Sequence, residues 1–257
     1  MKLSATIITF NEEDKIAEAI KSVAFADEIL VVDSESTDRT REIAESLGAK
    51  VLVQKWLGFA RQKQLAVEAA QNDWILSLDA DEQVSDELKA EILALKNFSN
   101  ENLADGYKIP RLSFYLNRPI RHGGWYPDWQ IRFFNRQKAH WKDVLIHESV
   151  EVDGKTKKLK GDILHFSVEN MAHHHRMIGE RYAPLAARQM FERGKRTSKL
   201  KIYSAGLTAF LQTFIIKAGF LDGFAGFCIA RFAAHHAFLK HLLLWEMENS
   251  EKLKTKN

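Results

Sequence analysis

Short apolar runs and helically spaced apolar positions take turns through the first hundred residues. "LSATIITF" (3–10) reads as a buried strand. Asn11 is placed to cap a following helix whose first turn holds Glu12, Glu13 and Asp14, where the helix dipole favours carboxylates. Ile16, Ala19, Ile20 and Val23 recur at helical spacing. "EILVVD" is a second strand, and "SESTDRTREIAESLG" supplies Ser, Thr and Asp start signals with Gly48 as a stop. "KVLVQ" is a third strand. "GFARQKQLAVEAAQ" reads as a helix with Leu65 and Ala69 on one face. "WILSLD" is a fourth strand, and "SDELKAEILAL" a helix opened by Ser85 or Asp86.

This alternation predicts an α/β fold: βαβ units with a mainly parallel sheet covered by helices on both faces. Ligands of such sheets bind beyond the carboxyl ends of the strands. "TFNEE", "DSESTD" and "DADE" all fall there, so they are expected to converge on one site. After about residue 105 the pattern loosens into short strands and loops punctuated by Gly106, Pro110, Gly123, Gly124 and Pro127. From about Asn170 it is helical to the end. The expected organisation is one catalytic-type domain over 1–168, in two halves divided near residue 104, and a helical extension over 169–257.

Composition, 46% hydrophobic and 28% charged, adds only that the chain is an ordinary globular one. Cys228 is the single cysteine, which rules out an internal disulfide and points to a reducing, cytoplasmic compartment. No signal peptide is expected, because the first apolar run is short and meets three acids. Charge changes the picture more. The net +3 conceals an acidic front (−7 over 1–154) and a basic middle (+9 over 155–217). Such a block suits a polyanionic or membrane-surface partner, the alternative being a solvated helix face. No nucleic-acid partner is expected. "IYSAGLTAFLQTFII" is uncharged for 15 residues, short of the ~20 a spanning helix needs. "AGFLDGFAGFCIA" is interrupted by Asp222 and glycines. Both suit helices that pack together or lie in a bilayer interface. The expected location is peripheral, on the cytoplasmic face of the inner membrane.

No GxGxxG follows the first strand and no GxxxxGK[ST] occurs, so a bound nucleotide's phosphate charge must be met by other means. Asp79 and Asp81 of "DADE", at the end of the fourth strand, can hold Mg²⁺ or Mn²⁺, which in turn holds a diphosphate.

"IITFNEE", "ILVVDSESTDRT", "ARQKQLA" and "WILSLDADE" resemble the nucleotide-sugar half of family 2 inverting glycosyltransferases with the GT-A fold. "GWYPDWQIRFFNR", "IHE" and "GDILHFS" resemble a narrower group, the bacterial lipopolysaccharide or lipooligosaccharide core β-1,4-glucosyltransferases. The sequence departs from the family pattern where Val32 precedes Asp33 and where Arg61-Gln62 replaces an Arg-Asn pair. The resemblance implies a nucleotide-sugar half to about residue 104 and an acceptor half over 105–168. It implies transfer of a sugar, glucose from UDP-glucose, to an inner-core heptose of a lipid A–core glycolipid. Thr9, Phe10 and Glu12 are expected to line the base and ribose, Asp33 to accept hydrogen bonds from them, and Arg61 or Lys63 to reach the nucleotide or diphosphate. Asp79 should lie near ribose and metal, and Asp81 should coordinate the metal. Asp128 matches the carboxylate base. Arg132 is expected at the diphosphate or in a surface ion pair, His147 and Glu148 in the acceptor site, and His165 near the metal or diphosphate.

Trp125, Tyr126 and Trp129 suit either sugar stacking or a core. "IHESV" is not HExxH, so no zinc protease is expected. His173, His174 and His175 fan out by ~100° each on a helix, so they form a polar surface and not a joint chelate. Two other readings are a metal-dependent nucleotidyltransferase and a catalytically inactive membrane-bound scaffold. The first usually needs a basic glycine-rich loop after the first strand. The second sits poorly with Asp33, Asp79, Asp81 and Asp128 all being present.

Overall fold

A computed structural model describes residues 1–98, 103–142, 148–168 and 170–254. The chain forms two compact units, Met1–Leu112 with Pro127–Phe166, and Ser113–Tyr126 with Ser167–Asn257.

In the first unit β1 (Leu3–Thr9), β2 (Glu28–Asp33), β3 (Lys50–Val53) and β4 (Trp74–Asp79) are parallel neighbours in the order β3-β2-β1-β4. Alternate side chains leave opposite faces of the sheet. Leu3, Ala5, Ile7, Val31, Leu76 and Leu78 meet helices on one face. These are Ile16 and Ile20 of α1 (Ile16–Ser22), Ala44 of α2 (Thr40–Ser46), and Leu88 and Ile92 of α4 (Asp86–Leu95). Ile8, Leu30, Val32 and Ile75 take the other face, under Ala66 and Val67 of α3 (Phe59–Ala69). Each such Leu or Ile, fully buried, contributes about 1.5–3 kcal/mol, so both helix layers are held by the period-two pattern itself.

Beyond β4 the sheet is mixed, with antiparallel pairs and one parallel pair. β8 (Asp128–Asn135) pairs with β4 and with β6 (Gly106–Tyr115). β5 (Glu82–Val84) and β12 (Ile163–His165) are antiparallel at the far end, with Glu82 opposite His165. β7 (Arg118–Pro119) pairs with β6, β11 (Thr156–Lys158) pairs with β6 in parallel, and β9 (Ala139–Trp141) pairs with β10 (Val150–Val152).

Ser85 opens α4, its Oγ accepting from Leu88 N at 3.2 Å. Gly48 ends the α2 segment with φ 82°. Asn11 does not cap α1, which begins at Ile16 without a side-chain cap. The amides a cap would satisfy are already taken by the β2–α2 loop: Glu12 N donates to Thr40 Oγ1 (2.8 Å) and Glu13 N to Asp38 Oδ2 (3.2 Å). Asn11, at φ 51°, instead accepts from Thr37 N (2.8 Å) and donates its own N–H to Ser36 Oγ (2.9 Å). The buried face of α3 is Ala60, Gln62, Lys63, Ala66 and Val67. Leu65 is half-buried and Ala69 exposed, because polar partners draw Gln62 and Lys63 inward.

The second unit is mostly helical. Its elements are α5 (Met171–Arg176), a π-helical turn (Met177–Tyr182), α6 (Ala183–Glu192), α7 (Lys199–Leu211), a second π-helical turn (Gln212–Ile216), a 3₁₀ turn (Gly219–Asp222) and α8 (Gly223–Lys254). Tyr115, Ile120, Ala225 and Ile229 form its core, with Trp125, Val168 and Met171 against it. Asp222 accepts from His122 N at 2.8 Å. A Cβ on Gly226 would lie 1.8 Å from Gly219 O, so only glycine permits that crossing. The histidine run is not a uniform surface. His174 is buried, its Nδ1 2.8 Å from Tyr115 Oη, because that position of α5 faces the core.

Candidate functional site

Thr9 and Asp33 are register partners at the carboxyl ends of β1 and β2. Asp33 is fully buried. Its Oδ2 accepts from Ser36 N at 2.9 Å, with Arg41 Nε 3.9 Å away. Asp33 Oδ1 and Thr9 Oγ1 are buried with no hydrogen-bond partner. Such atoms are rare and call for an explanation. Phe10, next along the chain, is 56% exposed. Glu12 Oε2 lies 3.0 Å from Lys15 Nζ. Asp38 accepts from Thr40 N at 3.0 Å at the start of α2, and its link to Glu13 ties the two loops together.

At the end of β4 lies a cluster of charges. Asp79 faces two cations: Lys63 Nζ is 2.9 Å from Oδ1, and Arg132 Nη2 donates to Oδ2 at 3.1 Å. Burial alone would raise the Asp79 carboxyl; the charges of Lys63 and Arg132, with their hydrogen bonds, overcome it and hold the group well below the usual carboxylate range. Glu82, fully buried on β5, accepts from Asp79 N (3.0 Å), Arg132 Nη2 (3.0 Å) and Arg111 Nη1 (3.2 Å). Arg132 is therefore in a buried ion pair and not a surface one. Its Nε and Nη1 are buried without partners. The indole of Trp141 lies under both cations, 4.9 Å from Lys63 Nζ and 5.5 Å from the Arg132 guanidinium carbon.

Arg111 joins this cluster to Asp128. Its Nε (2.9 Å) and Nη2 (2.7 Å) both donate to Asp128 Oδ2, across a β6–β8 register pair. Burial works against the Arg111 charge, but Glu82 and Asp128 outweigh it and push its pKa up. Asp128 Oδ1 accepts from Gln130 Nε2 at 2.7 Å. Glu148 Oε1 is 3.7 Å from Lys63 Nζ. His147 lies outside the described residues.

Asp81 and His165 meet across the β5–β12 pair, with Oδ2 to Nε2 at 3.4 Å. Phe166 N donates to Asp81 O at 2.9 Å, fixing the turn. This pair offers one carboxylate and one imidazole to a divalent cation. No cluster of three or more such ligands occurs among the described residues. The carboxylate suits Mg²⁺ or Mn²⁺, which complete their shells with substrate phosphate and water, and the imidazole is the softer donor.

Arg61 sits on the exposed side of α3, lining a groove with Leu57, Gln64, Glu68 and Trp141, whereas Lys63 points into the charge cluster. Trp125 packs in the core of the second unit, and Trp129 is exposed with Lys158 Nζ 4.3 Å above its ring.

Arg111 and Gln62 were not expected in the site, and Glu82, the last residue of "DADE", was expected there but given no role of its own. Gln62 is fully buried and donates from Nε2 to Ser34 Oγ (3.1 Å) and Gln54 O (3.2 Å), shaping the loop before α3. The available signal was a charged residue inside a largely apolar strand, as for Arg111 in "KIPRLSFY".

A mixed sheet that gathers carboxylates and cations at the carboxyl edge of its parallel strands has the layout of an α/β ligand-binding protein. Residues 4–151 match the family described as glycosyl transferase family 2. The chain is 35% identical to an uncharacterised glycosyltransferase of Rickettsia typhi, covering 100% of this chain and 89% of the relative. It is 28% identical to the lipopolysaccharide core biosynthesis glycosyltransferase LpsC of Rhizobium meliloti, covering 93% and 90%. A crystal structure of S. aureus TarS 1-349 in complex with UDP-GlcNAc superposes with a TM-score of 0.49 at 15% identity, over 98% of this chain and 92% of that one. The chain belongs to glycosyl transferase family 2. It is a glycosyltransferase with a GT-A-like fold.

Proposed function

We propose that the chain transfers glucose from UDP-glucose to an inner-core heptose of a lipid A–core glycolipid, with inversion at the anomeric carbon. One observation carries this reading. Two unpartnered oxygens, on Thr9 and Asp33, share a sheet edge with the Asp79 charge cluster. The first can take a nucleoside and the second a diphosphate. The lipopolysaccharide acceptor is supported by the likeness to LpsC over most of both chains. Glucose and the UDP carrier rest on the motif resemblance.

In this reading Thr9, Phe10 and Glu12 line base and ribose, and Asp33 Oδ1 accepts a hydrogen bond from them. Arg132 turns its two unpartnered N–H groups to the diphosphate, with Lys63 beside it and Arg61 at the rim. Asp81 and His165 would hold Mg²⁺ or Mn²⁺, which when bound offsets negative charge on the leaving diphosphate. Asp79 orders Lys63 and Arg132, and reaches the metal only by giving up one of them. Asp128 takes the proton of the acceptor hydroxyl as its oxygen attacks the anomeric carbon and the bond to the diphosphate breaks. Arg111 saturates Oδ2, leaving a lone pair of Oδ1 for that proton. Glu148, beside Lys63, belongs to the acceptor side.

Metal-dependent turnover over a panel of nucleotide sugars, with proton NMR of the product, tests the reading. UDP-glucose should be preferred and the product inverted. A retained configuration, or turnover undiminished in excess EDTA, would overturn the mechanism.

A further inference from the structure

The second unit exposes an apolar face that its own packing does not explain. On α7, Leu200, Tyr203, Leu207 and Leu211 are each more than two-fifths exposed, and Leu200 and Tyr203 more than three-quarters. At ~100° per residue they fall within a sector of about 80°, one stripe along the helix. The opposite side, Ile202, Ala205 and the glycine at 206, is turned inward, with Gly206 against α8. A helix apolar on both sides belongs in a core or against lipid, and here one side faces outward. Ile216 and Phe224, 78% and 70% exposed, add further outward apolar surface beyond the end of α7.

The charge beside it names the partner. Arg193, Lys195, Arg196, Lys199 and Lys201 run into the start of α7 without one acidic residue between them. Lys199 and Lys201 are exposed and flank Leu200 by ~100° on either side, and side chains of this kind can lay their stems on apolar surface while the ammonium groups stay in water. Glu248 is buried, and its Oε1 is spent on Thr197 N at 2.7 Å. No single helix among the described residues is long and apolar enough to cross a membrane; Lys199–Ile216 and Gly219–Ser250 reach that length and composition only as a pair bent by 73°.

We propose that this stripe docks the protein on the surface of an anionic phospholipid leaflet, α7 lying in the interface with the basic run on the headgroups. The proposal does not depend on the donor or acceptor reading. Its failure would leave that reading standing, since the assay contains no sugar.

The test is co-sedimentation of the full chain with phosphatidylglycerol-containing and with pure phosphatidylcholine vesicles. The protein should bind the first, be largely released by high salt, and bind the second weakly. Lys199→Glu/Lys201→Glu should lower affinity for the anionic vesicles by about tenfold or more, and so should Leu207→Ser/Leu211→Ser. Unchanged helicity by circular dichroism keeps both variants informative. Equal binding to both vesicles overturns the proposal. So does absence of vesicle binding together with a concentration-dependent dimer, by sedimentation velocity, that Leu207→Ser/Leu211→Ser dissociates; the stripe would then be a contact between copies.

Discussion

Glu82 is buried to zero exposure, yet it carries a charge, and two arginines share its Oε1. A carboxylate so placed is costly unless every cation stays in position. Arg111 therefore has two tasks, to neutralise Glu82 and to hold Asp128. Arg111→Gln leaves Glu82 with one of its two arginines and releases Asp128 Oδ2. We expect a loss of about 2–4 kcal/mol of stability and a fall in kcat larger than any rise in KM. A denaturant titration and steady-state kinetics check both. Asp128→Asn differs, because it removes the proposed base and leaves Glu82 paired. Transfer should drop by about 10²–10⁴-fold, with nucleotide affinity by calorimetry nearly intact; if transfer continues at a normal rate, Glu148 becomes the base. Asp81→Asn keeps size and removes one of the two metal donors we propose. Mn²⁺ affinity, read by electron paramagnetic resonance, should weaken at least about tenfold, and wild-type affinity would exclude Asp81 as a ligand.

At the scale of elements, local pattern was a good guide where partners are near in sequence. β1 to β4 and their helices were readable because strand period and helix period each bury one face. Ser85 and Gly48 mark boundaries by chemistry that acts within a turn. The roles of Arg111 and Glu82 were not readable, since they arise from pairing β6 with β8 and β5 with β12 across long stretches of chain. Asn11 misled because the amides it would cap find partners in a distant loop. His174 misled because a wheel gives spacing but not which side meets a core. Its burial pushes the imidazole pKa down from 6.5 to about 4, with His173 adding to the effect. Above the ordinary value both folded and unfolded chains hold it neutral. As pH falls from 6.5 toward 4 the unfolded chain takes up the proton first, so the stability of α5 against Tyr115 is lost over that window. His174→Gln keeps an acceptor for Tyr115 Oη and removes the titration. Thermal melts should show the wild type losing stability across this range more steeply than the variant; parallel profiles would mean that the proton goes elsewhere.

The two units of the molecule do not simply follow one another along the chain. Residues 113–126 leave the sheet-bearing unit and belong to the helical one, where Tyr115 and Ile120 share a core with Ala225 and Ile229. A fragment ending at residue 167 would keep the whole family match over 4–151 and lose α5 through α8. Tyr115, Ile120 and Trp125 would then lie uncovered. At about 1.5–3 kcal/mol for each large apolar side chain, the loss is about 5–9 kcal/mol, comparable with the entire stability of a typical domain. We therefore expect fragment 1–167 to aggregate or to bind a hydrophobic dye strongly, although every expected donor residue is still present. Ile229→Asp in the full chain probes the same core without truncation and should lower the melting temperature by several degrees. A fragment that melts cooperatively at the wild-type temperature, with little dye binding, would show that 113–126 needs no helical partner and that the helices serve the surface alone.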